Sequence, residues 1–179
     1  MVTLTVALDG TDSLLRRLNE LSGSLDGPGL QAMLANVGES VVTQTKERFR
    51  EQKRPDGGKW PKSRRAREEG GQTLTDRARL KHSIHKRLRP GIVEIGTNVE
   101  YAAIHQFGFA GQVNIGAHQR IIHQAFGRKL KFPVAVNVKA HSVCQEMPAR
   151  PFLGISPANE KELLTEMNRF IARYLGMVG

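Results

Sequence analysis

The sequence predicts an α+β fold: an antiparallel β-sheet packed against a long amphipathic helix and a C-terminal helix, with a basic loop or arm and a protruding β-hairpin. Three observations carry that expectation. Apolar residues recur at helical spacing from Leu30 to Phe49, they do so again from Leu163 to Leu175, and between these stretches two alternating runs flank Pro90-Gly91 as in a hairpin. The 179 residues suffice for one domain with a real core and are too few for two of ordinary size, so 1–179 is read as a single domain.

The opening "VTLTVAL" (2–8) alternates β-branched and apolar residues and reads as a strand ended by Asp9-Gly10. Thr11 or Asp12 then caps a helix with Leu14, Leu15, Leu18 and Leu21 on one face. After the break "GSLDGPG", which starts at Gly23, Leu30, Met33, Leu34, Val37, Val41, Val42 and Phe49 define the long helix. It should run for roughly 22 residues. From Gln52 the text turns to "QKRPDGGKWPKSRRAREEGG", too rich in Gly, Pro and charge to offset its ordering entropy by burial. A mobile basic arm is therefore expected over about 52–73, with Trp60 as the one residue equipped to dock.

"LTDRARLKHSI" (74–84) offers a short helical turn, and "SIHKRLRPGIVEIGT" the hairpin. "EYAAIHQFG" (100–108) reads as another helical turn. From about 109 to 147 a β-hairpin excursion is expected, because "GAHQRII" and "KAHSVCQ" each hold an Ala-His pair in a β-prone setting and "AFGRKLKFP" resembles a hairpin tip. The last helix is entered through Ser156-Pro157 and carries Leu163, Leu164, Met167, Phe170, Ile171, Tyr174 and Leu175.

Composition excludes several classes. Apolar residues make up 39% and aromatics 6%, and no stretch reaches the ~18–20 apolar residues of a membrane span, so no membrane partner is expected. The single cysteine, Cys144, and an N-terminus without a secretory pattern fit a reducing cytoplasm. Charge is concentrated: Lys46 to Arg89 holds sixteen Lys and Arg against six Asp and Glu, which accounts for the whole net charge of +10. Such a segment faces phosphates or an acidic partner, or is a solvated arm. Its candidate contacts are Lys53, Arg54, Lys59, Lys62, Arg64, Arg65 and Arg67.

Catalysis is not expected. GxSxG, P-loop and HExxH patterns are missing, and only Glu100 and Asp76 lie near His105 and His82 in sequence. Nor is a metal or other cofactor: His82/His85 and His141/Cys144 are isolated i, i+3 pairs, and in a strand the second pair would point to opposite faces. Contact with DNA backbone fits the charge, but no recognition module for base reading is present. Two stretches remain. In "EYAAIHQFG", Tyr101, Ile104 and Phe107 have helical spacing for packing on the hairpin, while His105 and Gln106 bond nearby backbone or face a neighbouring subunit. In "MPARPFLGIS" two prolines stiffen the chain, Phe152 and Leu153 anchor it, and Arg150 points outward or to a carboxylate.

"PDGGKW" (55–60), "LTDRARLKHSI" (74–84), "IGTNVEYAAIHQFG" (95–108) and "MPARPFLGIS" (147–156), in this order, resemble the phage virion morphogenesis, or tail completion, family of Mu-like contractile-tailed phages and prophages. The resemblance runs from about residue 30 onward. It implies a non-enzymatic virion component, assembled in the host cytoplasm and residing at the neck or head-proximal end of the tail, where heads and tails are joined. Implied partners are other copies of the chain in a ring, with a hexamer expected from tail symmetry, together with head connector, tail tube or tail terminator proteins and the backbone of packaged DNA. Alternatives are a tail terminator capping the tube and a sequence-nonspecific DNA-binding protein. Trp60, Tyr101, His105, Gln106, Arg150 and Phe152 would then be structural or interface residues.

Overall fold

The long helix α2 (Gly27–Glu51) organises the body. The computed structural model describes residues 12–176 apart from 24, 26 and 126, so the strand expected at 2–8 lies outside the described residues. Helix α2 starts earlier than its apolar pattern because Pro28, which has no N–H to satisfy, is suited to a first helical turn. One stripe of it (Met33, Val37, Val41) packs with Leu14 and Leu21 of α1 (Asp12–Ser22) and with Leu163, Met167 and Ile171 of α6 (Pro157–Tyr174). Leu18 joins this cluster partly buried, as its spacing predicts.

Helices α2 and α6 run antiparallel, and a polar seam records it. Ser40 Oγ donates to Glu166 (2.5 Å), Gln44 Nε2 to Glu162 (2.8 Å) and Arg48 Nη2 to Asn159 Oδ1 (2.6 Å), so each step up one helix is a step down the other. Ser156 caps α6, its Oγ accepting the Asn159 N–H at 3.0 Å, and Pro157 follows at the first helical position.

A second cluster forms around the C-terminal half of α2. Val42 and Phe49 meet Trp60, Leu80, Ile84, Val99, Ala102, Phe152 and Leu153. The Phe49 ring lies 5.3 Å from Trp60, edge on, and 5.5 Å from Phe152. Strands β1 (His85–Arg89) and β2 (Ile92–Gly96) form the expected hairpin and lie on α2 so closely that a Cβ on Gly38 would stand 2.7 Å from Val93 Cγ2. Lys86 fastens it, bonding the Ala35 carbonyl (2.7 Å) and Glu39 (2.9 Å).

The segment 52–73, whose composition suggests an arm, is placed against the body. Trp60 is buried and donates from Nε1 to the Pro151 carbonyl at 2.8 Å. Gln52 closes the loop, its Nε2 donating to the Thr73 carbonyl (3.0 Å) and its Oε1 accepting the Thr73 N–H (2.6 Å). A short helix α3 (Arg64–Glu68), capped by Ser63, buries Ala66. Composition misses these anchors because one aromatic and one carboxamide are enough to hold the loop.

Beyond helices α4 (Arg79–Ser83) and α5 (Ala102–Phe107), the chain leaves as a ribbon. Strand β3 (Phe109–Ile115) pairs with β6 (His141–Met147), and farther out β4 (His118–Ala125) pairs with β5 (Arg128–Val138). The fold is α+β, but in place of one sheet the described strands form three separate two-stranded ladders, of which β1–β2 packs on α2.

Candidate interaction site at the ribbon root

Helix α5 presents one narrow stripe inward. Ala102 and Gln106, four residues apart, are buried, whereas Tyr101, Ile104 and Phe107 are exposed, Phe107 to 61%. This corrects the expectation that those three pack on the hairpin. Six residues give room for a single inward row, and the small Ala102 brings the turn close enough to the core for Gln106 to reach the returning chain.

Gln106 is the clamp. Its Oε1 accepts the N–H groups of Phe152 (3.0 Å) and Leu153 (3.1 Å), and its Nε2 donates to the Leu153 carbonyl (2.9 Å). Residues 152–153 run without regular structure through the core, where unpaired backbone groups are costly. The carboxamide takes the place of a neighbouring strand. Phe152, fully buried, completes the anchor.

Arg150 departs from its expected place. It is only 5% exposed, and its Nε donates not to a carboxylate but to the Pro61 carbonyl at 2.7 Å. Its own N–H donates to the His105 carbonyl at 2.7 Å, so the root is closed by main chain as well. The His105 ring sits edge on to Tyr101, 5.6 Å between centroids, and its Nδ1 is buried with no hydrogen-bond partner. Burial, and then the adjacent Arg150 guanidinium, lower the His105 pKa and favour the neutral ring.

Between the 61–67 loop, the 74–80 segment and the returning strand lies a groove of about 750 Å³. Lys62, Arg64, Arg65 and Arg67, four of the basic residues singled out in the sequence, line it. Lys53, Arg54 and Lys59 do not: Lys53 pairs with Glu51 at 3.2 Å and Arg54 with Asp56 at 3.1 Å, away from the groove. Arg77, Arg79 and Arg150 join the lining instead. "DRAR" shows in the sequence as basic, but only the left-handed backbone at Leu74 (φ 61) and Ala78 (φ 54) turns that segment to form the wall.

The ribbon carries a row of apolar side chains on one side of each ladder. Facing residues of an antiparallel pair share a side, so Phe109 with Met147 and Val113 with Val143 make one row, and Ile122 with Val134 and then Val136 and Val138 make another. Val134, Val136 and Val143 are exposed, as is Phe132 at 69%. Between the ladders both strands break at matching Ala-His steps: His118 Nδ1 lies 3.0 Å from the Gly116 carbonyl and His141 Nδ1 2.9 Å from that of Lys139.

Among the described residues no three His, Cys, Asp or Glu side chains gather as metal ligands would, and no helix is long and apolar enough to cross a membrane. The chain matches the model of the phage virion morphogenesis family over residues 9–172. No curated protein and no solved structure matches it.

Proposed function

The chain belongs to the phage virion morphogenesis family, and from that premise we propose that it is a non-enzymatic tail-completion factor that joins tails to heads at the neck, working as a ring of identical subunits. The observation that supports this reading is the ribbon, which reaches away from the body with open apolar rows. A closed ring needs a patch on each subunit that fits a different patch on the next, and an outlying strand pair fits that need. The exposed Tyr101, Ile104 and Phe107 add further open side chains near its root. In this reading subunits fold in the host cytoplasm and come to rest at the neck, between head connector and tail tube or terminator.

Deleting the gene from a phage that carries it tests the role. Electron microscopy should show filled heads and finished tails that do not join, and supplying the gene in trans should restore plaques. Tails of uncontrolled length would instead support a terminator that caps the tube. For the ring, mass photometry of the assembled protein should give a multiple of the 19.9 kDa chain. A monomer that still supports joining would overturn the ring.

A further inference from the structure

Among the described residues two arginines are buried, and they are satisfied differently. Arg48 has both terminal nitrogens bonded, Nη1 to the Phe152 carbonyl (3.1 Å) and Nη2 to Asn159 Oδ1 (2.6 Å). Burial lowers its pKa to about 10, and it belongs to the core. Arg150, as little exposed overall at 5%, bonds through Nε alone, and its terminal nitrogens reach the groove. Among the described residues neither of its terminal nitrogens has an acceptor, and no carboxylate pairs with it.

Those nitrogens are not sealed in the core: they open on the groove, where a guanidinium with no carboxylate partner offers a charge-assisted bond to an incoming anion. Around Arg150 the chain supplies more cations. Lys62, Arg67, Arg77 and Arg79 line the same groove and form no ion pair among the described residues. Of the two acids there, Asp76 is engaged with Arg65 at 3.7 Å, and Glu146 pairs with none of the arginines. The buried, unpartnered His105 Nδ1 lies in the same wall. Left-handed backbone at Leu74 and Ala78, a conformation that side chains with a Cβ rarely adopt, shapes the opening.

We propose that this groove receives an acidic segment of a partner protein, one carboxylate of which makes the ion pair that Arg150 lacks. The shape selects protein over nucleic acid. At about 750 Å³ the groove is of the size that holds a few side chains. Pro61, Leu74, Tyr101 and Pro148 give it apolar walls for aliphatic stems. A duplex offers its phosphates on a convex cylinder, which fits poorly against a guanidinium recessed in a groove wall with only 5% of its residue exposed. A Glu or Asp side chain on a short stem can reach it, and the outer arginines then steer the approach.

The inference rests on the assembly role only in taking the partner to be another virion protein. Its test is direct binding: fluorescence anisotropy of the full chain with a labelled peptide of alternating glutamate and leucine, with the same peptide carrying glutamine for glutamate, and with a labelled DNA duplex. The glutamate peptide should bind about tenfold or more tightly than the glutamine peptide, with affinity falling as salt rises. Arg150→Gln should lose about that factor. Because Arg150 also holds the fold, Arg67→Glu and Arg79→Glu serve as second variants: both sites are exposed, and each change should weaken peptide binding without lowering the thermal melt. Equal binding of the two peptides, full binding by Arg67→Glu and Arg79→Glu, or displacement of the peptide by duplex would each overturn the proposal. A groove that fails in this assay, in a protein whose deletion still separates heads from tails, overturns the groove and leaves the joining role standing.

Discussion

In the body, Met33, Phe49, Phe152, Leu163 and Met167 are wholly enclosed, whereas in the ribbon from Phe109 to Met147 no described residue is buried. Both regions hold apolar side chains in regular rows. What differs is that the body's rows face one another and the ribbon's face outward. A lone two-stranded ribbon is marginal in water, so its direction depends on the root and its final stability on whatever covers it. Body and ribbon should therefore answer to different measurements, the first to denaturation and the second to assembly.

The largest expected effect tests the body. Phe152→Ala removes a fully buried ring packed on Phe49 and should cost about 3–5 kcal/mol in chemical denaturation. Next comes the root: Gln106→Leu strands two N–H groups and a carbonyl of residues 152–153 and should cost about 2–3 kcal/mol by the same measurement. A loss well under 1 kcal/mol would place the root energetically with the ribbon and erase the boundary between ribbon and body.

Smaller is a pH effect at His105. Its pKa in the folded chain lies below the ordinary value of 6.5, so the unfolded chain takes up the proton first. Stability from this group is full above pH 6.5 and is lost as pH falls below that value towards the folded-state pKa. Denaturation midpoints of the wild type should drop on acidification by an increment that His105→Gln lacks; parallel curves would contradict the buried neutral ring. Smallest of all, Val134→Thr with Val136→Thr should alter the unfolding free energy by no more than about 0.5 kcal/mol while blocking head–tail joining. A large stability loss there would show the ribbon to be part of the body after all.

The sequence made both hairpins and every described helix but α3, which lay in the expected arm, legible, because spacing reports which residues share a face. Leu14, Met33, Val37, Phe49, Leu163 and Met167 are core residues for that reason. Spacing does not report which face finds a neighbour, and so Tyr101, Ile104 and Phe107 looked like packing residues yet are exposed. Partners far along the chain are equally hidden: nothing local in "IHQFG" says that Gln106 meets Leu153, and a main-chain carbonyl, which every residue carries, is what Arg150 finds at Pro61. Summed charge located the basic segment but could not separate Lys53 and Arg54, neutralised by adjacent acids, from Arg77 and Arg79, which are not.

Both ends of the ribbon are fixed within one helical turn. The Ile104 carbonyl takes the Gly108 N–H, the His105 carbonyl takes that of Arg150, and a Cβ on Gly108 (φ 80) would stand 2.9 Å from the Ala149 nitrogen. With departure and return seated in one socket, the rod between them can change length without the socket registering it. Cutting one residue pair from each strand shortens it by about 6.8 Å and keeps every row on its side; cutting a single residue from each turns the rows over. Reach is thus set in discrete steps, and the span of the ribbon can be reset without recasting its mount.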